Sequence, residues 1–257
     1  MLVVCYGIAK SGSTLAYELV RGVLMSAGHS QKKFAHHALK PRGRGNHMAS
    51  VRPADLESLI EALGDERILA AKTHQCFEDA DFRRMEELQH QRKLQVFTSY
   101  RDPRDMCLSL IDHGARSREA GRPGFSRVHD LSRAVEVIER AIPKFAKWSS
   151  LRGSLRLYFE TVAFEPDAAI DVIEAGLGVV CDRKKAKRHA FEKAFTQRNK
   201  AQKTRHEEEL SATEKEAMLD AFGPFIERVC RSKDDSWFGE FRSQMLAGSD
   251  SRQIRVL

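Results

Sequence analysis

The stretch Leu2-Val3-Val4-Cys5-Tyr6-Gly7-Ile8-Ala9-Lys10-Ser11-Gly12-Ser13-Thr14 decides how this chain is read. An apolar run, Leu2 to Tyr6, enters a turn of small and polar residues, and a helical pattern follows from Leu15 to Leu24. A buried strand, a tight turn and a helix in that order make an anion site. Peptide N–H groups of the turn and the positive dipole end of the helix converge on a phosphate or sulfate. The ordinary nucleoside-triphosphate loop, G-x-x-x-x-G-K-[ST], places its lysine directly after the second glycine. Here Ser13 follows Gly12, and the lysine stands upstream at Lys10.

Two further segments carry chemistry. Lys72-Thr73-His74 follows the short apolar run Ile68 to Ala71. An unperturbed histidine has a pKa of about 6.5, so His74 is neutral enough near pH 7 to take a hydroxyl proton. Tyr100-Arg101-Asp102-Pro103-Arg104-Asp105-Met106-Cys107-Leu108-Ser109 follows the apolar run Leu94 to Thr98. Asp102 suits an N-cap and Pro103 a first helical residue, so a strand ends near Tyr100 and a helix begins at Pro103. Arg101 then lies at the carboxyl end of its strand, the edge where open parallel sheets bind ligands. Its planar fork matches phosphate oxygens. Ser109, two turns into the helix, faces the same crevice if that helix lies along the ligand.

Together these segments resemble the sulfotransferases that use 3′-phosphoadenosine 5′-phosphosulfate (PAPS) and release 3′-phosphoadenosine 5′-phosphate (PAP). The resemblance implies that Lys10, Ser11, Gly12, Ser13 and Thr14 form the 5′-phosphosulfate loop, and that Arg101 and Ser109 hold the 3′-phosphate. It implies His74 as the general base, with Lys10 and Lys72 offsetting charge on the leaving phosphate and the transferring group. Arg198 and Lys200 resemble the family's late Arg-Lys-Gly loop, which closes over the nucleotide, although the glycine is missing here. Leu155 to Glu160, with Pro166 beyond, is similar to the family's strand ending in Tyr-Glu-Asp. Phe159 stands at the tyrosine position, and Tyr158, one residue off, receives no cofactor role. Leu15 replaces an adenine-stacking tryptophan, and Ala9 replaces the usual proline.

The reaction so implied is in-line transfer of a sulfuryl group from PAPS to a hydroxyl or amine of a small-molecule or carbohydrate acceptor, without a metal. Two alternatives stay open on the sequence. One is a metal-dependent phosphoryl-transfer kinase with a degenerate loop, for which Asp102 is the available acidic residue. The other is a non-catalytic, basic nucleic-acid-binding protein, although no nucleic-acid motif is evident. The net charge of +7 suits a polyanionic cofactor, a nucleic acid or a membrane surface alike, so charge does not choose among them.

The pattern of elements predicts an α/β fold, a parallel β-sheet flanked by helices on both faces, in a P-loop-like three-layer sandwich. Strands are expected near 2–8, 67–72, 94–100 and 154–159. Helices are expected near 14–27, 54–63, 103–113, 130–150, 166–176 and 211–231, the last opened by the capping box Ser211 to Glu214. The tail after Trp237 reads as a helix fraying into disorder. The 257 residues suit a single domain over 1–257, with mobile acceptor-side loops at 29–52, which contains His36 and His37, and 114–129. Five scattered cysteines without a C-x-x-C pair suit a reducing compartment, and no apolar segment is long enough to span a bilayer. A cytoplasmic location follows as the expectation.

Overall fold

A computed structural model describes residues 1–41, 43, 45–194 and 202–251. Arg198 and Lys200 lie outside the described residues. Four strands, β1 (Leu2–Gly7), β2 (Leu69–Thr73), β3 (Leu94–Tyr100) and β4 (Leu155–Tyr158), form one sheet in the order β2-β1-β3-β4. Every pairing is parallel, with Leu2 opposite both Leu69 and Leu94 and with Tyr100 opposite Tyr158. The helices are α1 (Ser13–Ser26), α2 (Pro53–Leu63), α3 (Phe82–His90), α4 (Pro103–Glu119), α5 (Leu131–Glu139) and α6 (Ile142–Ser149). They continue with α7 (Phe159–Phe164), α8 (Pro166–Leu177), α9 (Arg183–Arg188), α10 (Arg205–Glu209), α11 (Ala212–Pro224) and α12 (Ser236–Leu246).

All of β1 is buried, because both faces of the sheet are covered. Alternation along the strand divides its side chains between two cores. Val3 and Cys5 pack with Leu19 and Val23 of α1, Ile170 and Ile173 of α8 and Ala186 of α9. Val4 and Tyr6 face the opposite core, which holds Leu56 and Leu59 of α2, Met85 of α3, Phe145 and Trp148 of α6, and Phe238 and Phe241 of α12. The expected layering is therefore present, with the second core much the larger.

Several boundaries differ from the sequence reading, each for a local reason. The helix expected over 130–150 is two helices parted at Arg140 and Ala141, because Pro143 in the first turn of α6 has no N–H to give to a continuing helix. The helix expected to stop near 113 runs to Glu119, so the irregular segment starts later than 114. Gly114 sits inside α4 where the returning chain crosses it, and a Cβ there would meet the Val128 carbonyl oxygen at 2.3 Å. The last long helix keeps its capping box at Ser211 and Glu214 but reaches Pro224 and then widens into a π-helical turn, Phe225–Arg231. β4 ends at Tyr158, one residue early, so Phe159 opens a helix and strand alternation no longer governs it. Helices α3, α7, α9 and α10 were not anticipated. The tail helix exists as α12, and it buries Trp237, Phe238, Phe241 and Met245.

The segment 29–52 carries its own anchors. Asn46 is fully buried; its backbone N–H donates to the Tyr17 hydroxyl, which donates in turn to the Asn46 carbonyl. Lys72 N–H donates to Asn46 O and Met48 N–H to Lys72 O, so residues 46–48 run beside the outer edge of β2. His36 and His37 face α2, through Ser58 and Asp55 respectively.

Candidate active site

The turn after β1 is built from left-handed backbone. Lys10 has φ 70° and Gly12 has φ 75°, conformations that fold successive N–H groups into a concavity suited to an anion. No side chain caps the N-terminus of α1 among the described residues. At Gly12 a Cβ would also collide with the Phe159 ring at 2.4 Å, so the position needs glycine on two counts. Ser11 departs from its expected role in one respect. Its hydroxyl is buried and pairs with Ser99 Oγ at 3.1 Å, tying the turn down to β3, and the side chain does not reach the cleft described below.

Lys72 and His74, two residues apart at the end of β2, project to one side of the chain. Lys72 Nζ donates to Thr14 Oγ1 at 2.7 Å, joining the end of β2 to the first turn of α1. His74 Nδ1 lies 2.8 Å from the Gly7 carbonyl oxygen. A carbonyl only accepts, so Nδ1 carries the proton and Nε2 is left with its lone pair. The ring lines the cleft and is exposed to it. Desolvation, reinforced by the Lys72 ammonium, lowers its pKa to about 4. His74 is thus a neutral base of fixed tautomer at pH 7. Desolvation also lowers Lys10 and Lys72, each to about 8; Arg116 adds to the effect on Lys10. Lys10 Nζ donates to His113 Nδ1 at 3.1 Å, a partner that the sequence did not suggest.

Arg101 sits at the end of β3, almost wholly buried. Its guanidinium donates to Asp105 Oδ2 at 3.0 Å and to the Gln202 carbonyl at 2.6 Å, and lies 3.5 Å from Glu160 Oε1. The Phe159 ring lies under it, 4.3 Å from the guanidinium carbon. Asp105 is held in turn by His206, whose backbone N–H and Nδ1 reach Oδ1 at 3.0 and 2.9 Å. Burial opposes ionisation of Asp105, but His206 and Arg101 outweigh it and keep the carboxyl below its ordinary range. Asp102 caps α4 by accepting from Arg104 N–H and pairs with the Arg104 guanidinium, as its N-cap reading anticipated.

These parts meet in one cleft of about 1240 Å³. Lys10, Gly12, Ser13, Thr14, Lys72, His74, Arg101 and Ser109 all line it, although they come from three strand ends, the start of α1 and the second turn of α4. Other residues complete its wall. Phe159 lines the cleft whereas Tyr158 packs on Tyr100, ring centres 5.1 Å apart. His47, His113, Phe125 and the α5–α6 corner also contribute. His47 and Phe125 belong to the two segments expected on the acceptor side, whereas His113 and the α5–α6 corner enter from helical positions that carry no motif. Glu18 lines the cleft as well. Its burial is outweighed by His189 and Arg21, which hold its carboxyl below the usual range.

The fold is similar to that of mouse sulfotransferase SULT7A1 complexed with PAP, with a TM-score of 0.55 and 11% identity over 96% of this chain and 88% of the other. It is also similar to retinol dehydratase in complex with androsterone and the inactive cofactor PAP, with a TM-score of 0.50 and 11% identity over 88% of this chain and 80% of the other. No family model matches the sequence. No curated protein matches it either.

Proposed function

We propose that this protein transfers a sulfuryl group from PAPS to a hydroxyl or amine of a small-molecule or carbohydrate acceptor. The observation that carries the proposal is His74. A histidine whose Nδ1–H is fixed on the Gly7 carbonyl keeps Nε2 free to accept a proton in the cleft that also holds the anion turn, Lys10, Lys72 and Arg101. When bound, PAPS supplies an activated sulfuryl group, whose bond to the 5′-phosphate oxygen breaks as the acceptor oxygen attacks.

The chain's own residues do the rest by position and charge. The N–H groups at the start of α1, with Ser13 and Thr14, hold the 5′-phosphosulfate; Ser11 contributes through its backbone, since its hydroxyl is engaged by Ser99. Lys10 and Lys72 offset negative charge on the leaving phosphate and on the transferring oxygens. His74 Nε2 takes the acceptor proton. Arg101 and Ser109 receive the 3′-phosphate, and Arg198 and Lys200 are proposed to close over it. Arg101 fits that work, because its Nε is buried and makes no hydrogen bond among the described residues, having only the 3.5 Å ion pair to Glu160 Oε1, so a phosphate oxygen can take this donor. Phe159, stacked on Arg101 beside Gly12, offers an apolar surface where Leu15 supplies no aromatic ring. The kinase alternative rested on Asp102 as a metal holder. That carboxylate is engaged by Arg104 and does not line the cleft.

The deciding experiment is calorimetric titration with PAP in magnesium-free buffer, with ATP as the control and Arg101→Ala as a second protein. Micromolar or tighter binding that is weak for ATP and lost in the variant is the expected result. No PAP binding, or metal-dependent preference for ATP, would overturn the proposal in favour of the kinase. Salt-steep binding to duplex DNA instead would favour the nucleic-acid reading.

A further inference from the structure

The wall of the cleft beside His74 carries positive charge that the nucleotide chemistry leaves unused. Val137, Arg140, Ala141 and Lys144 recur at helical spacing across the α5–α6 corner, and all four line the cleft. α6 is fastened to the chain just beyond His74. Trp148 Nε1 donates to Gln75 O at 3.0 Å, Lys147 Nζ donates to Phe77 O at 3.0 Å, and Cys76 Sγ reaches Lys144 O at 3.8 Å. The corner therefore flanks the proposed base, with Tyr6 of β1 stacked on Trp148 behind it.

Arg140 and Lys144 have little to neutralise them. The Arg140 side chain is 72% exposed, and its ion pair is a long 3.5 Å contact with Glu136, a carboxylate that Arg133 also holds. Lys144 makes no ion pair or side-chain hydrogen bond among the described residues, and it is exposed. Glu18 is the sole carboxylate among the described residues lining the cleft, and Arg21 and His189 occupy it. The same cleft is lined by apolar groups, Val137, Ala141 and Phe125. Phe125 has a left-handed φ of 57°, and its ring meets His113 edge-on.

We infer that the acceptor is an anion: a hydroxyl compound whose apolar body rests on Phe125, Val137 and Ala141 and whose carboxylate or sulfate group is held by Arg140 and Lys144. This inference rests on the sulfuryl-transfer proposal and narrows its acceptor to one class. Charge-assisted contacts are strong when desolvated and weaker at an open rim, so the discrimination between an anion and its neutral isostere is about tenfold.

The test uses the full chain saturated with PAP. 4-Hydroxybenzoate and 3-(4-hydroxyphenyl)propionate are each titrated against their methyl esters by calorimetry, and with PAPS in place of PAP their sulfation is followed. The acids are expected to bind about tenfold more tightly than the esters at low salt. The double variant Arg140→Gln, Lys144→Gln should bring the ratio to near unity while leaving PAP affinity and ester affinity unchanged. Retained PAP affinity also certifies that the variant is folded. Failure to bind PAP at all would sink the sulfuryl-transfer reading itself. PAP binding without any preference for the acids, or a preference that survives the double variant, would overturn the anionic acceptor alone.

Discussion

At the scale of single residues, one hydrogen bond to the Gly7 carbonyl fixes the His74 tautomer, so the proposed base would act through Nε2. Replacing His74 with alanine is expected to lower turnover by about 10²- to 10⁴-fold with little change in PAP affinity, as steady-state kinetics and calorimetry would show. The pH profile of kcat/KM gives an independent check. A base with its pKa lowered to about 4 stays unprotonated well below the ordinary 6.5, so the rate should hold until the pH approaches 4. On the alkaline side, Lys10 and Lys72 lose their protons near pH 8, and the rate should fall there. Bound nucleotide phosphate favours the charged lysines, so the same limb in kcat should lie at higher pH. An acid limb near 6.5 would contradict the surroundings described for the ring. That Lys10, Lys72, His74 and Arg101 come to one cleft was legible in the sequence because each ends or follows an apolar strand run, and Ser109 joins them from the second turn of α4. Their partners were not. His113, Asp105 and His206 come close only through tertiary packing, and nothing in their local sequence sets them apart from other polar residues.

At the scale of elements, the turn between β1 and α1 holds two residues in a conformation that costs an L-residue about 1–2 kcal/mol. Gly12 escapes that cost and Lys10 does not. Lys10→Gly should therefore abolish most turnover without lowering the urea midpoint, the signature of strain kept for function. Gly12→Ala should lower stability as well as function. It adds left-handed strain and a clash with Phe159, costing about 1–3 kcal/mol in urea unfolding and loosening PAP. The strands were read correctly to within two residues because a strand covered on both faces is a continuous apolar run. Helices were read less well where their burial pattern was short. α3 hides Phe82, Met85 and Leu88 within a stretch dominated by charge, and α9 is basic throughout apart from Ala186. Pro143 and Pro224, by contrast, were visible in the sequence and mark where the expected long helices break or widen.

The whole molecule also depends on elements that do not line the cleft. α12 inserts Trp237, Phe238, Phe241 and Met245 into the larger core, where Trp237 and Phe238 meet Phe225 and Phe145 edge-on. Fully burying each such side chain contributes about 1.5–3 kcal/mol, and an entire domain is stable by only about 5–15 kcal/mol. Ending the chain before Ser236 should therefore leave a protein without a cooperative thermal transition by circular dichroism, whatever its motifs. The layered fold was legible because strands alternate with helices along the sequence. The cleft's far wall was not, since the α5–α6 corner reaches the site through the packing of α6 on the chain beyond His74.

The parallel register has a kinetic consequence. Leu2 finds its neighbours at Leu69 and Leu94, so the turn that follows β1 cannot take its final shape until widely separated stretches of chain have closed on each other. Such distant closures are slow steps in folding. A nucleotide added during refolding would then find no site until the sheet is assembled. It should leave the refolding rate alone and slow only the rate at which the finished protein comes apart.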